Sequence, residues 1–100
     1  PERRSMLVEA TLAARVAAAD FFRVSPCRAD PDEQEPSRLL VERCPPDQAQ
    51  FFGLYFSRAA DLEFHLADFT NSDDAISIAK IVANGRPIYS FDPVSGERPL

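Results

Sequence analysis

Residues 50–69 read QFFGLYFSRAADLEFHLADF, and this stretch decides the fold. Two runs of alternating apolar side chains flank a three-residue break at residues 59–61. The alternating residues are Phe52, Leu54 and Phe56 before the break, and Leu62, Phe64 and Leu66 after it. Alternation with a period of two on both sides of a short break is typical of an antiparallel β-hairpin with one buried face. We therefore expect this hairpin to be the scaffold of the domain.

A helix is predicted directly after the hairpin, over residues 73–83. Polar residues suited to an N-cap precede it, and Asn84 and Gly85 supply a left-handed stop after it. Its predicted core stripe consists of Ala75, Ile78, Ala79 and Val82, widened by Ile76 and Ile81. Residues 88–91 are then predicted as the last strand, followed by a turn at residues 92–96 and a loose end.

The chain before the hairpin is predicted to form a helix, a loop and a strand. Residues 5–22 are rich in Ala, Leu and Val and contain no Gly or Pro, so they are predicted as a helix, although residues 21–24 could instead begin a strand. Residues 23–37 are predicted as a Pro-rich acidic loop. Residues 38–44 are predicted as a strand, which the next two prolines terminate.

These elements predict a single α+β domain over residues 1–100, in the order α-β-β-β-α-β. The sheet and the second helix occupy residues 38–92. We expect a two-layer arrangement in which a mostly antiparallel sheet has helices packed against it. The last strand follows a helix, so it is expected to run parallel to a neighbour. A three-layer arrangement, in which the first helix covers the second face of the sheet, stays open.

The charge balance limits the partners of this domain. Sixteen acidic and 11 basic residues give a formal net charge of −5. An acidic domain repels phosphate backbones, which argues against nucleic acid as a partner, although α-β-β-β-α is also the order of double-stranded-RNA-binding domains. The charge suits solubility or a basic protein partner. No run of about 18 apolar residues is present, so no membrane span is predicted.

The cysteine content and the excess of Arg over Lys predict a cytoplasmic protein of bacterial origin. Cys27 and Cys44 form neither a C-x-x-C motif nor a dense framework, so we expect reduced, structural thiols in a cytoplasmic protein. A secretory signal is not expected, because Glu9 and Arg15 interrupt the apolar stretch near the start. Ten of the 11 basic residues are Arg and Lys80 is the single Lys, a skew that suggests a GC-rich bacterial genome.

The strongest catalytic candidate is His65, the single histidine, with Glu63 two residues earlier on the same predicted strand face. A carboxylate beside an imidazole could form an acid–base pair. No nucleophile can be placed beside them, so a solvent-facing histidine is the favoured interpretation. Cys27 and Cys44 also lack the context that activates a thiol. The sequence therefore favours a protein that is not an enzyme.

Metal ions and cofactors are not predicted. Asp68, Asp73 and Asp74 resemble part of a calcium loop, but the glycine and the later ligands of that loop are missing, and helix capping explains the same acids. Two cysteines and one histidine are too few and too scattered for a zinc site. The three glycines form no phosphate-binding loop.

The leading functional prediction is a non-catalytic protein-binding module that acts as a homodimer. The missing catalytic constellation, the acidic surface and an Ala-rich first helix able to pack closely all favour it. Four apolar side chains are predicted to lie on the sheet face opposite the core and form the candidate interface, because exposed aromatic patches often mark association. They are Leu40, Phe51, Tyr55 and Phe69.

Two other classes of function stay open. One is a ligand-binding or enzymatic pocket at a dimer interface, with His65, Glu63 and Tyr55 at its edge. The other is an acidic inhibitor or immunity-type protein that presents its loop to a basic target. That candidate loop carries Asp30, Asp32, Glu33 and Glu35. In element order, size and acidity the chain also resembles type III secretion chaperones, which implies a partly unfolded protein partner.

Overall fold

A computed structural model of the chain describes residues 11–58 and 62–100. Helix α1 is described over residues 11–17. The elements that follow are strand β1 (Phe21–Pro31), strand β2 (Leu39–Arg43), a short 3-10 helix (Pro46–Gln48), strands β3 (Phe51–Arg58) and β4 (Leu62–Phe69), helix α2 (Ser72–Ala83), and strands β5 (Ile88–Asp92) and β6 (Gly96–Pro99). The predicted α+β class is confirmed. The predicted element order is wrong, because it lacks β1 and β6.

The strands of the described residues form one sheet in the order β4-β3-β1-β5-β6, and β2 pairs with the outer part of β1. All neighbours are antiparallel except β1 and β5, which are parallel. The expectation that the strand after the second helix runs parallel to a neighbour is therefore confirmed. Strand β1 is central, since β3 lies on one of its sides and β5 and β2 share the other.

Strand β1 corrects two predictions at once. The predicted helix over residues 5–22 ends at residue 17 in the structure, and its first six residues lie outside the described part. The predicted loop over residues 23–37 is mostly strand, and the irregular connection is only residues 32–38. Phe22 and Val24 alternate with Arg23 and are buried, which is the pattern of a strand. In the sequence, the prolines of residues 23–37 favour a loop more strongly than this alternation favours a strand.

Pro26 is tolerated in a central strand because of where it falls. The pairing of β1 with β5 covers residues 22–24, and its pairing with β2 covers residues 27–31. Pro26 lies between these two ladders, and its carbonyl accepts a hydrogen bond from Cys44 N at 3.0 Å on that side. The missing N–H therefore faces a gap where the ladder is interrupted, and the proline costs little.

The predicted hairpin is confirmed as β3 and β4, although its connection at residues 59–61 lies outside the described residues. Leu54 and Phe56 are fully buried, as expected. The register shifts between Leu54 and Tyr55, because Leu54 pairs with Ala67 and Tyr55 pairs with His65. Leu66 is thus an extra residue in β4, that is, a β-bulge. Leu62, predicted to be buried, is exposed at the end of the strand.

The core lies on one side of the sheet, which we call the covered side. Both helices contribute to it, since Val16 of α1 packs against the same cluster as Ala75, Ala79 and Ala83 of α2. The described part of α1 therefore shares one side with α2, as the two-layer prediction requires. The predicted stripe of α2 is partly wrong, because Ile78 is exposed. Alanines let the helix axis approach the sheet closely.

Arg86 joins the ends of the two helices. Its guanidinium donates hydrogen bonds to five backbone carbonyls at 2.6–3.2 Å: Val16, Ala17 and Ala19 around the end of α1, and Val82 and Ala83 in the last turn of α2. Its Cζ atom also lies 4.9 Å from the ring centroid of Phe22. The last carbonyls of a helix lack intrahelical partners, and the C-terminal end attracts a cation. One side chain therefore satisfies both helix ends.

The end of the chain is ordered by Asp92. The carboxylate of this buried residue accepts hydrogen bonds from Val94 N at 2.9 Å and from Ser95 N at 2.7 Å, which confirms the predicted turn. The expectation of loose final residues is wrong, because β6 pairs with β5 and Leu100 N donates to the Ile88 carbonyl at 2.8 Å.

Candidate functional site

The side of the sheet that faces away from the helices, which we call the open side, carries a group of interacting charged and aromatic residues. We call this group the open-side cluster; it consists of Arg23, Arg43, Tyr55, Glu63, Phe91 and Glu97. These residues come from strands β1 to β6. Strand alternation places them there, because successive side chains point to opposite faces. The side chain of Arg23 is only 18% exposed.

Glu63 is the centre of the charges in the open-side cluster. One of its carboxylate oxygens accepts a hydrogen bond from Arg23, and the other accepts one from Arg43 Nη2 at 2.6 Å. Arg23 also donates to Glu97 Oε1 at 2.9 Å, and Arg43 Nε donates to Ser25 Oγ at 3.0 Å. Burial alone would lower the pKa of Arg23, but the hydrogen bonds to Glu97 and Glu63 outweigh it and raise that pKa. Two arginines and two glutamates thus neutralise one another.

Aromatic rings hold both guanidinium groups in place. The Cζ atom of Arg43 lies 4.5 Å from the ring centroid of Tyr55 and 5.4 Å from that of Phe91. The Cζ atom of Arg23 lies 5.1 Å from the ring centroid of Phe21. A cation over an aromatic face gains energy most when water is excluded. The arginines are therefore positioned by stacking as well as by carboxylates.

Tyr55 is positioned by the glycine two residues before it. A Cβ atom at Gly53 would lie 2.7 Å from Tyr55 Cε2, so only glycine leaves room for the ring. The Tyr55 hydroxyl lies 3.6 Å from Cys27 Sγ. Burial, and then this contact with Cys27, raise the pKa of Tyr55. The phenol therefore stays neutral and is unsuited to act as a base.

The structure gives His65 and Glu63 different partners. His65 Nε2 lies 2.7 Å from Asp68 Oδ1, whereas Glu63 binds the two arginines. The bulge at Leu66 explains the first contact, because it places two residues three positions apart on the same side of β4. The His65 side chain is about half exposed, and its ring centroid is 5.3 Å from that of Tyr55. The pairing of His65 with Glu63 is not formed.

Neither cysteine is placed as a nucleophile. Cys27 and Cys44 are both free thiols and both buried. Burial raises the pKa of the Cys44 thiol, and Cys27 Sγ donates to the Ser25 carbonyl at 3.4 Å. A buried thiol with a raised pKa reacts poorly.

The acids that resembled a calcium loop serve a helix end. Asn71 is the N-cap of α2, and its Oδ1 atom accepts a hydrogen bond from Asp74 N at 2.9 Å. Asp73 and Asp74 lie in the first turn, where the helix dipole favours negative charge. The capping interpretation is therefore confirmed. In residues 11–58 and 62–100, no group of three or more His, Cys, Asp or Glu side chains could hold a metal ion.

The four residues of the predicted interface do not form one surface. Phe51 and Tyr55 are half-buried on the open side. Phe69 pairs with Phe52 and packs against the core on the covered side, because the bulge shifts the alternation of β4 by one residue. Leu40 lies in β2 and alternates with Val41, away from the aromatic residues of β3. The prediction of a continuous aromatic patch containing Phe69 is wrong.

Strand β2 exposes apolar side chains instead. Leu39, Leu40 and Val41 are 62%, 45% and 57% exposed, and they are consecutive. Within the described part of the chain, β2 pairs with β1 alone, so its outer edge is free. Three consecutive exposed apolar side chains on a free strand edge are unusual, since such an edge invites pairing with another chain.

The candidate acidic loop is a compact turn at the start of β2. Asp32 Oδ1 accepts a hydrogen bond from Gln34 N at 2.9 Å, and the Glu35 carbonyl accepts one from Arg38 N at 2.8 Å. Asp30 belongs to β1 and lies 3.5 Å from Arg28. Glu33 and Glu35 are exposed. Two of the four acids are therefore engaged within the chain, and two face solvent.

Comparisons with known proteins identify no relative of this chain. No protein-family model, curated protein or solved structure matches this chain. In the part of the chain that the structure describes, no helix is long and apolar enough to cross a membrane.

The open-side cluster was missed in the sequence because its members are far apart in the chain. Arg23 and Glu63, for example, are separated by 40 residues. Arg23 also lies at the start of the segment predicted as a loop, and only the alternative in which a strand begins at residues 21–24 gives it a strand face. The one available signal was the alternation of Phe22 and Val24 around Arg23, which predicts a strand with the arginine on its opposite face.

Proposed function

We propose that this chain is a non-catalytic protein-binding module that acts as a homodimer, and that the outer edge of β2 is its binding surface. The single observation that carries the proposal is the exposure of Leu39, Leu40 and Val41 on that free edge. A free edge presents unpaired N–H and C=O groups, and an added strand satisfies them while it buries the apolar side chains.

The contrast between sheet edges supports the choice of β2. The outer edges of β4 and β6 also have no partner strand among the described residues. Strand β4 carries a bulge and several charges, and β6 is four residues long with Glu97, Arg98 and Pro99. Bulges, charges, prolines and short length are the features that keep edges from associating. Residues 39–41 carry no bulge, charge or proline.

The open-side cluster supports binding over catalysis. Catalysis needs a group that can donate or accept a proton, or attack a substrate, at a stated position beside that substrate. Arg23, Arg43 and Glu63 are bound to one another, and Tyr55 is neutral and partly buried. In the described residues, no buried side-chain nitrogen or oxygen lacks a hydrogen-bond partner. The cluster is therefore already satisfied by the protein itself.

The test is the molar mass in solution, measured by light scattering over a range of concentrations. The wild-type chain is expected at twice its 11.1 kDa monomer mass. Val41→Lys introduces a charge at the edge and should yield the monomer. The matched control is Ile81→Lys, since Ile81 is also exposed, at 73%, but lies on α2. It should remain dimeric. A wild-type monomer at all concentrations, or equal behaviour of the two variants, would contradict the proposal.

A further inference from the structure

We infer that two copies of β2 pair antiparallel about Leu40, so that Arg38 of each copy lies opposite Glu42 of the other. This inference rests on the proposed homodimer and specifies its partner, a second copy of the chain, together with the register of the pairing. The continuous sheet of the dimer would then extend through both copies of β2.

The first argument is the charge pattern of the strand. Residues 38–42 read Arg-Leu-Leu-Val-Glu, with a basic residue at one end, an acidic residue at the other and three apolar residues between. An antiparallel copy reverses this order. Each basic end then meets an acidic end, and the apolar residues meet one another. Opposite charges directly across a strand pair stabilise it, and like charges destabilise it.

The second argument is the direction of the backbone groups. Cys44 N donates to the Pro26 carbonyl, and Asp32 N donates to the Arg38 carbonyl, each between β2 or its flanks and β1. Even-numbered residues therefore direct their N–H and C=O groups toward β1. By alternation, Leu39 and Val41 direct theirs toward the free edge.

These directions select the register. Pairing about Leu40 places Leu39 opposite Val41, and both have outward backbone groups that can bond. A shift of one residue would place an outward residue opposite an inward one and break the ladder. Pairing about Val41 keeps the ladder, but it sets Glu42 opposite Leu40 and forms no ion pair. Only the register about Leu40 satisfies both the backbone and the charges.

Neither charged end is blocked within the chain. Glu42 accepts a hydrogen bond from Arg28 Nε at 3.2 Å, but its side chain is 55% exposed and its second oxygen can meet Arg38 of the other copy. Arg38 is exposed directly before β2. The contacts that β2 makes with its own chain therefore remain in the dimer.

The first test exchanges the charges. Arg38→Glu places two carboxylates opposite each other in the homodimer, and Glu42→Arg places two arginines opposite each other. Each variant alone is expected to dimerise about tenfold more weakly than the wild type, because two ion pairs per dimer become repulsive. An equimolar mixture of the two variants should form the heterodimer with near wild-type affinity, because both pairs of facing residues 38 and 42 then join a carboxylate to a guanidinium. Native mass spectrometry separates the three species when one variant carries a mass tag.

The second test is a disulfide that only one register permits. Leu40→Cys places two cysteines on the two-fold axis, in a non-hydrogen-bonded pair whose Cα atoms are about 4.5 Å apart, which a disulfide can span. The matched control is Val41→Cys. Its two copies lie diagonally, beyond the roughly 7 Å that a disulfide can bridge. Mild oxidation should cross-link the first variant and leave the second unlinked; Cys27 and Cys44 are buried.

The outcomes separate this inference from the proposed function. A wild-type chain that is monomeric at all concentrations contradicts both the proposed homodimer and the inferred register. A wild-type dimer in which Val41→Cys cross-links and Leu40→Cys does not keeps the homodimer and overturns the register. A mixture of Arg38→Glu and Glu42→Arg that forms no more heterodimer than chance also overturns it. Preferential heterodimers together with the Leu40→Cys cross-link support it.

Discussion

Arginines stabilise both sides of this sheet, but they bind different kinds of partner. On the covered side, Arg86 donates to five backbone carbonyls at the ends of two helices. On the open side, Arg23 and Arg43 donate mainly to the carboxylates of Glu63 and Glu97. Carbonyls at helix ends are fixed by the backbone, whereas carboxylates sit on side chains that can rotate.

The difference separates an arginine that joins two helix ends from arginines that join the side chains of neighbouring strands. Loss of the Arg86 guanidinium would leave the carbonyls at both helix ends without a hydrogen-bond donor. In the open-side cluster the hydrogen bonds are shared, because Arg23 binds two carboxylates and Glu63 binds two arginines, so the loss of one bond leaves another in place. We therefore expect substitutions of Arg86 to affect the stability of the whole domain. Substitutions in the open-side cluster should have smaller and more local effects.

The largest effect is expected for Arg86→Met. It removes the shared donor and leaves several carbonyls unpaired, so it should lower the free energy of unfolding by about 2 to 4 kcal/mol. The measurement is urea denaturation at one fixed protein concentration. Arg58→Met, at an exposed arginine, is the control and should change stability by less than about 0.5 kcal/mol. Equal effects of the two substitutions would show that Arg86 is not the link between the helices.

A smaller effect is expected for Glu63→Ala. It leaves Arg23 and Arg43 without their shared carboxylate, and it should cost about 1 to 2 kcal/mol, less than a fully buried pair because the Glu63 side chain is 28% exposed. Asp30→Ala is the matched control, since Asp30 is 53% exposed in its pair with Arg28. Its cost should stay below about 1 kcal/mol. The same denaturation measurement decides, and a cost at Asp30 as large as that at Glu63 would contradict the role of the cluster.

The smallest effect, which disappears as the pH falls, is expected at Asp92 on the covered side. The backbone N–H of Ser95, together with that of Val94, holds the pKa of Asp92 below its usual range against the opposing effect of burial. Folding thus favours the ionised form. Its contribution to stability is complete above the ordinary range of an aspartate, and it is lost as the pH falls through the folded pKa.

Asp92→Asn tests this contribution, because asparagine keeps an oxygen that can accept the same hydrogen bonds. The wild type should be more stable than Asp92→Asn at neutral pH, and the gap should shrink as the solution is acidified through the folded pKa. A gap that is independent of pH would show that the turn depends on the shape of the side chain and not on its charge.

The sequence predicted the elements whose signals are local. The hairpin and α2 have regular periodicity and clear capping, and both were found. Strand β1 was missed because Pro26 favours a loop. The strand accepts this proline because Pro26 falls in the gap between two ladders, and that gap is a property of the assembled sheet. The position of Phe69 was missed for a related reason, because no local pattern marks the bulge at Leu66.

The candidate sites divide in the same way. The capping role of Asn71 was predicted from a few neighbouring residues. The open-side cluster joins strands that are distant in the chain, so it can be predicted only when the order of the strands in the sheet is known. The exposure of Leu39 and Val41 depends on the absence of a second neighbour for β2 among the described residues, which alternation alone does not reveal.

The bulge at Leu66 also constrains how the length of this strand can vary between related chains. Loss of the extra residue at position 66 would restore a regular ladder in which Asp68 still lies opposite Gly53 and Phe69 still lies opposite Phe52, so both side chains would keep their present sides. A single-residue deletion in β4 is therefore expected to be tolerated at the bulge, whereas elsewhere in the strand it would move the neighbouring side chains to the opposite side of the sheet. An alignment of relatives should show single-residue gaps within this strand at the bulge.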